Sequence, residues 1–203
     1  LKVAVGLQRR HSPEFINPVK EIQDGALGDL TLLRAYWNQG DIWIRRRKPE
    51  QSEMEYQMRN WYHFVWLSGD HIVEQHVHNL DVCNWVKGDH PVEANGMGSC
   101  QVRDNRGVGQ IYDNHFVEFT YKDGTKMYSQ CRQQPETWKH VTQYAHGVKG
   151  VRELPGNGSD GYDLEHVHLV DAIRNGKPLN DGWHGATSSF TAVLGRMATY
   201  SGQ

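Results

Sequence analysis

The sequence predicts one α+β domain, with an open, mostly antiparallel sheet and helices on one face. Three observations support this fold class. "KDG" at 122–124 separates two alternating runs, which indicates a β-hairpin. The helical pattern at 71–87 is the strongest in the chain, and two more helices, at about 161–175 and 185–200, close it. A chain of 203 residues can bury one sizeable core, and we expect about five to seven strands.

The first predicted elements are a strand and a helix. In "KVAVGLQ", Val3 and Val5 alternate with small residues, a pattern typical of a buried strand. A helix should follow, because Ser12 can cap it, Pro13 suits its first turn and Gly25 can end it.

The next two segments differ in pattern. Residues 29–39, "DLTLLRAYWNQ", alternate between apolar and polar side chains and indicate a strand. Residues 39–59 are polar and charged without a sustained period, so we expect a long loop that contributes to a functional site.

The helix at 71–87 has clear signals at both ends. Asp70 can cap its start and Gly88 can end it. Further strands are predicted within 93–103, 109–133 and 138–154. The apolar stripe of the helix consists of Ile72, Val73, Val77, Leu80 and Val86.

The octet "EQHVHNLD" holds the first candidate site. On a continuous helix, Glu74, His78 and Asp81 lie at i, i+4 and i+7 and share a face, while His76 points elsewhere. Such a row can orient a proton-transferring histidine. It can also bind a divalent metal ion, or form a hydrogen-bonded polar face. The spacing alone leaves all three interpretations open.

An aromatic segment supplies candidate sugar-binding residues. "RNWYHFVWLSGDH", at 59–71, places Asn60, Trp61 and Tyr62 side by side, and flat rings beside an amide suit carbohydrates. The same aromatic side chains suit a core equally well.

A glycine-rich stretch and the overall composition exclude other classes. "GNGSDG" at 156–161 formally fits G-x-G-x-x-G, but the preceding Pro155 and the polar "VREL" favour a loop. A net charge of −2 provides no basic field for nucleic acid. No apolar run is long enough to span a membrane, and the three scattered cysteines match no zinc template.

Several stretches together resemble the C-terminal part of the Gfo/Idh/MocA oxidoreductases, the family of glucose–fructose oxidoreductase and inositol dehydrogenase. They occur in the family's order and span nearly the whole chain. The most specific are "GDHIVEQHVHNLDVCNWVKGDHP", "EHVHLVDAIRNGKPL" and "ATSSFTAVLGRMATYSGQ".

The resemblance implies a division of the chain and a cofactor. Residues 1–25 would be the last strand and helix of a Rossmann domain, and residues 26–203 the substrate-binding and oligomerisation domain. NAD or NADP would be bound mainly by the N-terminal Rossmann domain, which lies outside these 203 residues. Gln8 and Arg9 would contact the cofactor. The open sheet face would form homodimers or homotetramers.

The resemblance also implies site residues for a sugar or polyol substrate. His78 would move the hydroxyl proton, with Glu74 and Asp81 as its catalytic partners. The candidate substrate-binding residues are Arg10, Asn60, Trp61, Tyr62 and His166. No nucleic acid or membrane partner and no metal ligand is predicted.

One alternative stays open at this point. Without a Rossmann domain, the chain could be a carbohydrate-binding protein or a metal-assisted sugar lyase. The lyase would use Glu74, His76 and His78, with His166 or His168.

Overall fold

The computed structural model describes residues 1–103, 109–156 and 160–202, and the α+β fold is the predicted one. Its strands are β1 Leu30–Gln39, β2 Pro91–Ser99, β3 Asn114–Tyr121, β4 Lys126–Gln133, β5 His140–Gly147 and β6 Gly150–Leu154. They form a six-stranded sheet with the order β2-β3-β4-β1-β5-β6. Among these strands, only the β1–β4 pair is parallel, while the other neighbours are antiparallel.

The helices cover one face of the sheet. They are α1 Pro13–Gln23, α2 Glu53–Arg59, α3 Val65–Ser68, α4 His71–Glu74, α5 Val77–Lys87, α6 Gly161–Arg174 and α7 Gly182–Ser201, with 3₁₀ turns at Gln8–His11 and Trp61–His63. Helix α5 packs on β1 and β5, helix α7 packs on β2 and β3, and α1 packs on α5.

The core lies between the sheet and these helices. Burial alternates along β3 and β4, so every second side chain faces the helices. Leu33, Val117, Phe119 and Met127 are at most 1% exposed on that face. The opposite sheet face carries half-buried and exposed side chains, which leaves it available at the surface.

The local turn and helix-end signals are confirmed. The hairpin joins β3 to β4 through "KDG", where Gly124 has a φ of 87°. Gly88 takes the left-handed conformation just past α5, and Pro13 occupies the first turn of α1. Helix α6 ends at Arg174, as predicted, and α7 starts slightly earlier than predicted, at Gly182.

The prediction of one continuous helix over 71–87 is wrong. The backbone N–H groups of both Gln75 and His76 donate to the carbonyl of His71, and the helix is interrupted there. The His76 ring is fully buried, and its Nε2 lies 2.8 Å from Ser129 Oγ on β4. Burying this ring against the sheet overrides the helical preference of the segment, because intrinsic propensities are only tenths of a kcal/mol per residue.

Two N-terminal predictions also fail. The predicted strand around Val3 and Val5 is reduced to one bridge, between Val3 and Asn180, and both valines are only half-buried. A strand needs neighbours along its length, and this segment pairs at one residue. Ser12 precedes α1 as predicted, but its hydroxyl donates to Asp160 at 2.7 Å instead of capping the helix.

The long loop predicted at 39–59 is confirmed only in its first part, because helix α2 occupies its end. Residues 40–50 contain no helix or strand, and Ser52 and Glu55 then form a capping box at the start of α2. Of the predicted "GNGSDG" loop, residues 157–159 lie outside the described residues.

Candidate active site

The 3₁₀ turn Gln8–His11 carries four consecutive polar side chains, and the first three are predicted residues of the candidate site. Gln8 is buried, and its Oε1 has no hydrogen-bond partner among the described residues. The turn packs closely on the start of α6, where a Cβ on Gly161 would lie 2.5 Å from the Gln8 carbonyl oxygen. The absence of a side chain at position 161 therefore permits this approach.

Arg9 is held by groups within the chain. Its Nη1 donates to Gln143 Oε1 at 2.6 Å, and its Nη2 donates to the Gly156 carbonyl at 2.5 Å. The guanidinium lies over the rings of Phe15 and Trp37, with distances to the ring centroids of 5.4 and 5.7 Å. Burial lowers the pKa of Arg9 to about 10, so the side chain stays positive at neutral pH. It is a fixed positive charge at the site.

His78, the predicted proton-transfer residue, lies close to this charge. Its ring is half-buried on α5, with its centroid 6.4 Å from that of Trp37. Its Nδ1 is buried and unpartnered, and no described residue hydrogen-bonds the ring. Burial, with the charge of Arg9 as a second cause, lowers the pKa of His78 to about 4. The imidazole is therefore neutral at physiological pH and able to accept a proton.

Glu74 ends a chain of polar side chains that begins at Arg103. Arg103 Nη2 donates to Gln133 Oε1 at 2.7 Å, and Gln133 Nε2 donates to the Tyr62 hydroxyl at 2.6 Å. That hydroxyl lies near Glu74. Burial raises the pKa of Glu74, although the nearby Tyr62 hydroxyl opposes the shift, and Glu74 Oε2 is buried without a hydrogen-bond partner among the described residues.

Asp81 has partners other than His78. Arg10 donates to both of its carboxylate oxygens, at distances of 2.8 to 3.0 Å. Ser188 on α7 donates its hydroxyl to Asp81 Oδ1 at 2.7 Å. Asp81 is 1% exposed, and Arg10 stacks 5.0 Å from the centroid of Trp85. These contacts point to a structural ion pair that joins the 3₁₀ turn to α5 and α7, and they give Arg10 the same role.

The remaining predicted substrate-binding residues divide between interior and surface. Asn60 is fully buried and uses its amide to fix the loop at Arg45, accepting from the Arg45 N–H and donating to its carbonyl. Tyr62 is buried, whereas Trp61 is 39% exposed and packs against Trp43. His166 is exposed on α6, where its Nδ1 lies 2.8 Å from the Tyr162 carbonyl. Of this aromatic segment, Trp61 and Trp66 present substantial ring surface to solvent, and Trp66 is the more exposed, at 57%.

The histidines of the metal-assisted alternative are dispersed. His76 contacts Ser129 inside the core, His166 faces solvent, and His168 Nδ1 lies 2.9 Å from His11 Nδ1. Among the described residues, Glu74, His76 and His78 do not form a group with ligand atoms close enough for a metal ion.

Two site contacts were missed from the sequence. Trp37 and Gln143 contact Arg9, and Trp37 also lies beside His78, yet both lie within strands and carry no motif. The local sequence pattern did not show which buried strand residues meet the 3₁₀ turn.

No helix in the described part of the chain is long and apolar enough to cross a membrane.

No family profile matches the chain, and no curated protein matches it. Solved structures, however, match it over nearly its whole length.

Two of these structures are inositol dehydrogenases, and a third holds NAD. Myo-inositol 2-dehydrogenase from Lactobacillus plantarum matches with a TM-score of 0.73 and 17% identity, over 98% of this chain and 62% of its own. GenD2 from gentamicin A biosynthesis, in complex with NAD, matches with a TM-score of 0.78 and 14% identity, over 100% and 63%. Scyllo-inositol dehydrogenase from Lactobacillus casei, with bound NAD(H) and scyllo-inositol, matches with a TM-score of 0.71 and 16% identity, over 99% and 63%.

The chain has the fold of the matched part of these three proteins. It spans less than two thirds of the length of each of the three, which agrees with the expected single domain of the larger family architecture. The fold implied by the sequence resemblance is thereby confirmed.

Proposed function

We propose that the chain is the substrate-binding and catalytic part of a Gfo/Idh/MocA-type oxidoreductase, acting on a sugar or polyol with NAD or NADP. The fold is shared with GenD2, whose structure holds NAD, and with scyllo-inositol dehydrogenase, whose structure holds NAD(H) and scyllo-inositol. The observation that carries the proposal is His78: a neutral, half-buried imidazole with an unpartnered nitrogen, next to a fixed positive charge.

His78 is suited to accept the proton of a substrate hydroxyl as that carbon is oxidised. A neutral imidazole has a free lone pair, and its depressed pKa means that it is not already protonated at neutral pH. The positive charge of Arg9 favours negative charge on a substrate oxygen nearby. Glu74, tied to Tyr62, is the second titratable group of the site.

The residues present fit a nicotinamide cofactor at the 3₁₀ turn. When bound, the cofactor supplies the hydride acceptor or donor. Gln8 Oε1 is a buried acceptor without a partner, and it suits the N–H group of a carboxamide. Arg9 would contribute its positive charge, held in position by its hydrogen bonds to Gln143 and Gly156.

The proposal is tested with the full-length protein, a panel of inositols and aldoses, and both NAD⁺ and NADP⁺. We expect reduction of the cofactor with at least one polyol or sugar. His78→Asn should keep the fold and lower kcat by about 10²–10⁴-fold, the usual contribution of a general acid–base group, with KM much less affected. Glu74→Gln should cost less than His78→Asn, because it leaves the proton acceptor in place.

The matched control is His90→Asn, at an exposed histidine next to the start of β2. It should retain the wild-type kcat. Turnover of His78→Asn close to that of this control would remove His78 from the mechanism, and no cofactor reduction with any substrate would contradict the proposed activity.

We also propose that the open sheet face forms homodimers or homotetramers. This face carries a ladder of aromatic side chains, including Tyr36, Tyr128 and Trp138, of which Trp138 is 58% exposed. An exposed aromatic sheet face is typical of a protein interface. Light scattering should show a dimer or larger species, and Tyr128→Glu should shift it towards monomer. A strictly monomeric wild type at micromolar concentration would contradict this assembly.

A further inference from the structure

A buried group of polar side chains lies outside the candidate active site. Asp70, His71 and His115 each offer a ligand atom, and these three atoms lie within 4.8 Å of one another. The side chains of all three are fully buried. Asp70 and His71 are at the start of α4, and His115 is the second residue of β3, so the group joins a helix to the sheet.

The imidazole of His71 is arranged like that of a metal ligand. Its Nδ1 lies 3.1 Å from the Tyr112 carbonyl and 3.2 Å from Asp70 Oδ1; because both oxygens can only accept, the hydrogen is on Nδ1. Its Nε2 therefore carries the lone pair, and this atom is buried with no partner among the described residues. Histidines that bind metals commonly donate their other ring N–H to a backbone carbonyl in this way.

The other two side chains complete the donor set. His115 Nε2 lies 3.3 Å from Asp70 Oδ1, within ion-pair range but without hydrogen-bond geometry, and both ring nitrogens of His115 lack a hydrogen-bond partner in the described part of the chain. Asp70 Oδ2 is held by the Tyr200 hydroxyl at 2.6 Å and by the Tyr112 N–H at 3.0 Å. These outer contacts orient the carboxylate, as supporting residues do around metal ligands.

The backbone of Asp70 is strained. Its φ of 79° and ψ of 160° lie in a region that is essentially restricted to glycine. Such strain persists where the surroundings over-determine a conformation, and it often marks a site with a function beyond packing. Here the strained residue is the one that supplies the carboxylate.

We propose that Asp70, His71 and His115 form a three-ligand binding site for one divalent transition-metal ion, with the fourth position open to water. Two imidazoles and one carboxylate match the preference of zinc for nitrogen and oxygen ligands. Zinc–ligand bonds of about 2 Å place tetrahedral ligands about 3.3 Å apart, so small side-chain rotations must draw the three atoms together. Binding also provides partners for imidazole nitrogens that are otherwise buried and unpaired.

The metal ion would stabilise the segment that leads from Asp70 to Glu74 of the candidate active site. The Asp70 carbonyl accepts from the Glu74 N–H at 2.9 Å, and the His71 carbonyl accepts from the His76 N–H at 3.0 Å. Fixing Asp70 and His71 therefore fixes the segment that carries Glu74. This role does not depend on the proposed oxidoreductase activity.

The test uses the full-length protein without a histidine tag, produced with added zinc and freed of loosely bound metal by gel filtration. Elemental analysis should give about one zinc ion per chain. Chelation should lower Tm and zinc should restore it, and cobalt substitution should give the ligand-field absorption of a tetrahedral site. His115→Gln, which keeps a polar side chain of similar size, should lose the metal. Asp70→Gly should also lose it while relieving the backbone strain.

His76→Gln is the control, because this histidine is equally buried but bonds to Ser129 instead. It should keep the metal. Folded wild-type protein that takes up no zinc or cobalt would overturn the proposal, even if the variants fail to fold. Zinc content unchanged in folded His115→Gln and Asp70→Gly would also overturn it, by placing the metal elsewhere.

Discussion

Replacing Asp81 distinguishes a structural from a catalytic role for this residue. The structure shows its carboxylate bound by two nitrogens of Arg10 and by the hydroxyl of Ser188, with 1% exposure. Asp81→Ala leaves the guanidinium, 12% exposed, without its counter-charge, and leaves the serine hydroxyl unpaired. Breaking a buried ion pair on one side costs about 3–5 kcal/mol, so we expect the free energy of unfolding to fall by that amount.

The assay is urea denaturation followed by fluorescence and circular dichroism, with midpoints and slopes compared between variants. Asp81→Asn should lose less stability, because its amide oxygen still accepts hydrogen bonds. Arg10→Met combined with Asp81→Leu should recover part of the loss, since no charge is then left unpaired.

Asp171 provides the matched control, because it forms an ion pair with Lys177 at 2.8 Å on the exposed surface of α6. Asp171→Ala should change stability little. Equal stability of Asp81→Ala and Asp171→Ala would refute the structural interpretation. A large loss of turnover in Asp81→Ala, at an unchanged free energy of unfolding, would instead support a catalytic role for Asp81.

Three further predictions concern the loop, the sheet and the pH response. Asn60→Ala should lower the unfolding free energy by about 1–3 kcal/mol, because the part-buried backbone N–H and carbonyl of Arg45 lose their hydrogen-bond partner; urea denaturation measures this. Gly98→Ala should lower Tm, since the added Cβ would lie 2.4 Å from a backbone oxygen of β3. The pKa of His78 is about 4 when folded, below the usual 6.5, so the unfolded chain binds this proton first as pH falls. The free energy of unfolding should fall by up to about 3 kcal/mol between pH 6.5 and 4. His78→Asn should make this fall smaller, and an equal fall in the wild type and the variant, measured by urea denaturation at each pH, would contradict the prediction.

The elements that sequence patterns predicted well are those set by interactions over a few residues. "KDG" forms its turn through local backbone conformation, with Gly124 supplying a positive φ. The ends of α5 and α6 follow from Gly88 and from Asn175–Gly176 in the same way. The alternating runs on either side of "KDG" likewise indicated two paired strands, which the structure has as β3 and β4.

The candidate site was predicted only in part, for a related reason. The octet marked Glu74 and His78 as residues of interest, and both lie half-buried with unpartnered polar atoms. The octet could not show that Asp81 pairs with Arg10, which lies 71 positions away in the sequence. It also assumed one helix, and the interruption at His76 changed the relation between Glu74 and His78.

By itself, then, the sequence determined the fold class, the hairpin, the positions of most helices and a short list of reactive side chains. Only the tertiary structure decided which of those side chains meet. Local periodicity carries information over one or two turns, whereas the Asp81–Ser188 and Asp70–His115 contacts join elements that are distant in the chain. Such contacts form where burial of the whole domain brings elements together, and desolvation there sets the charge states that neighbouring residues alone do not fix.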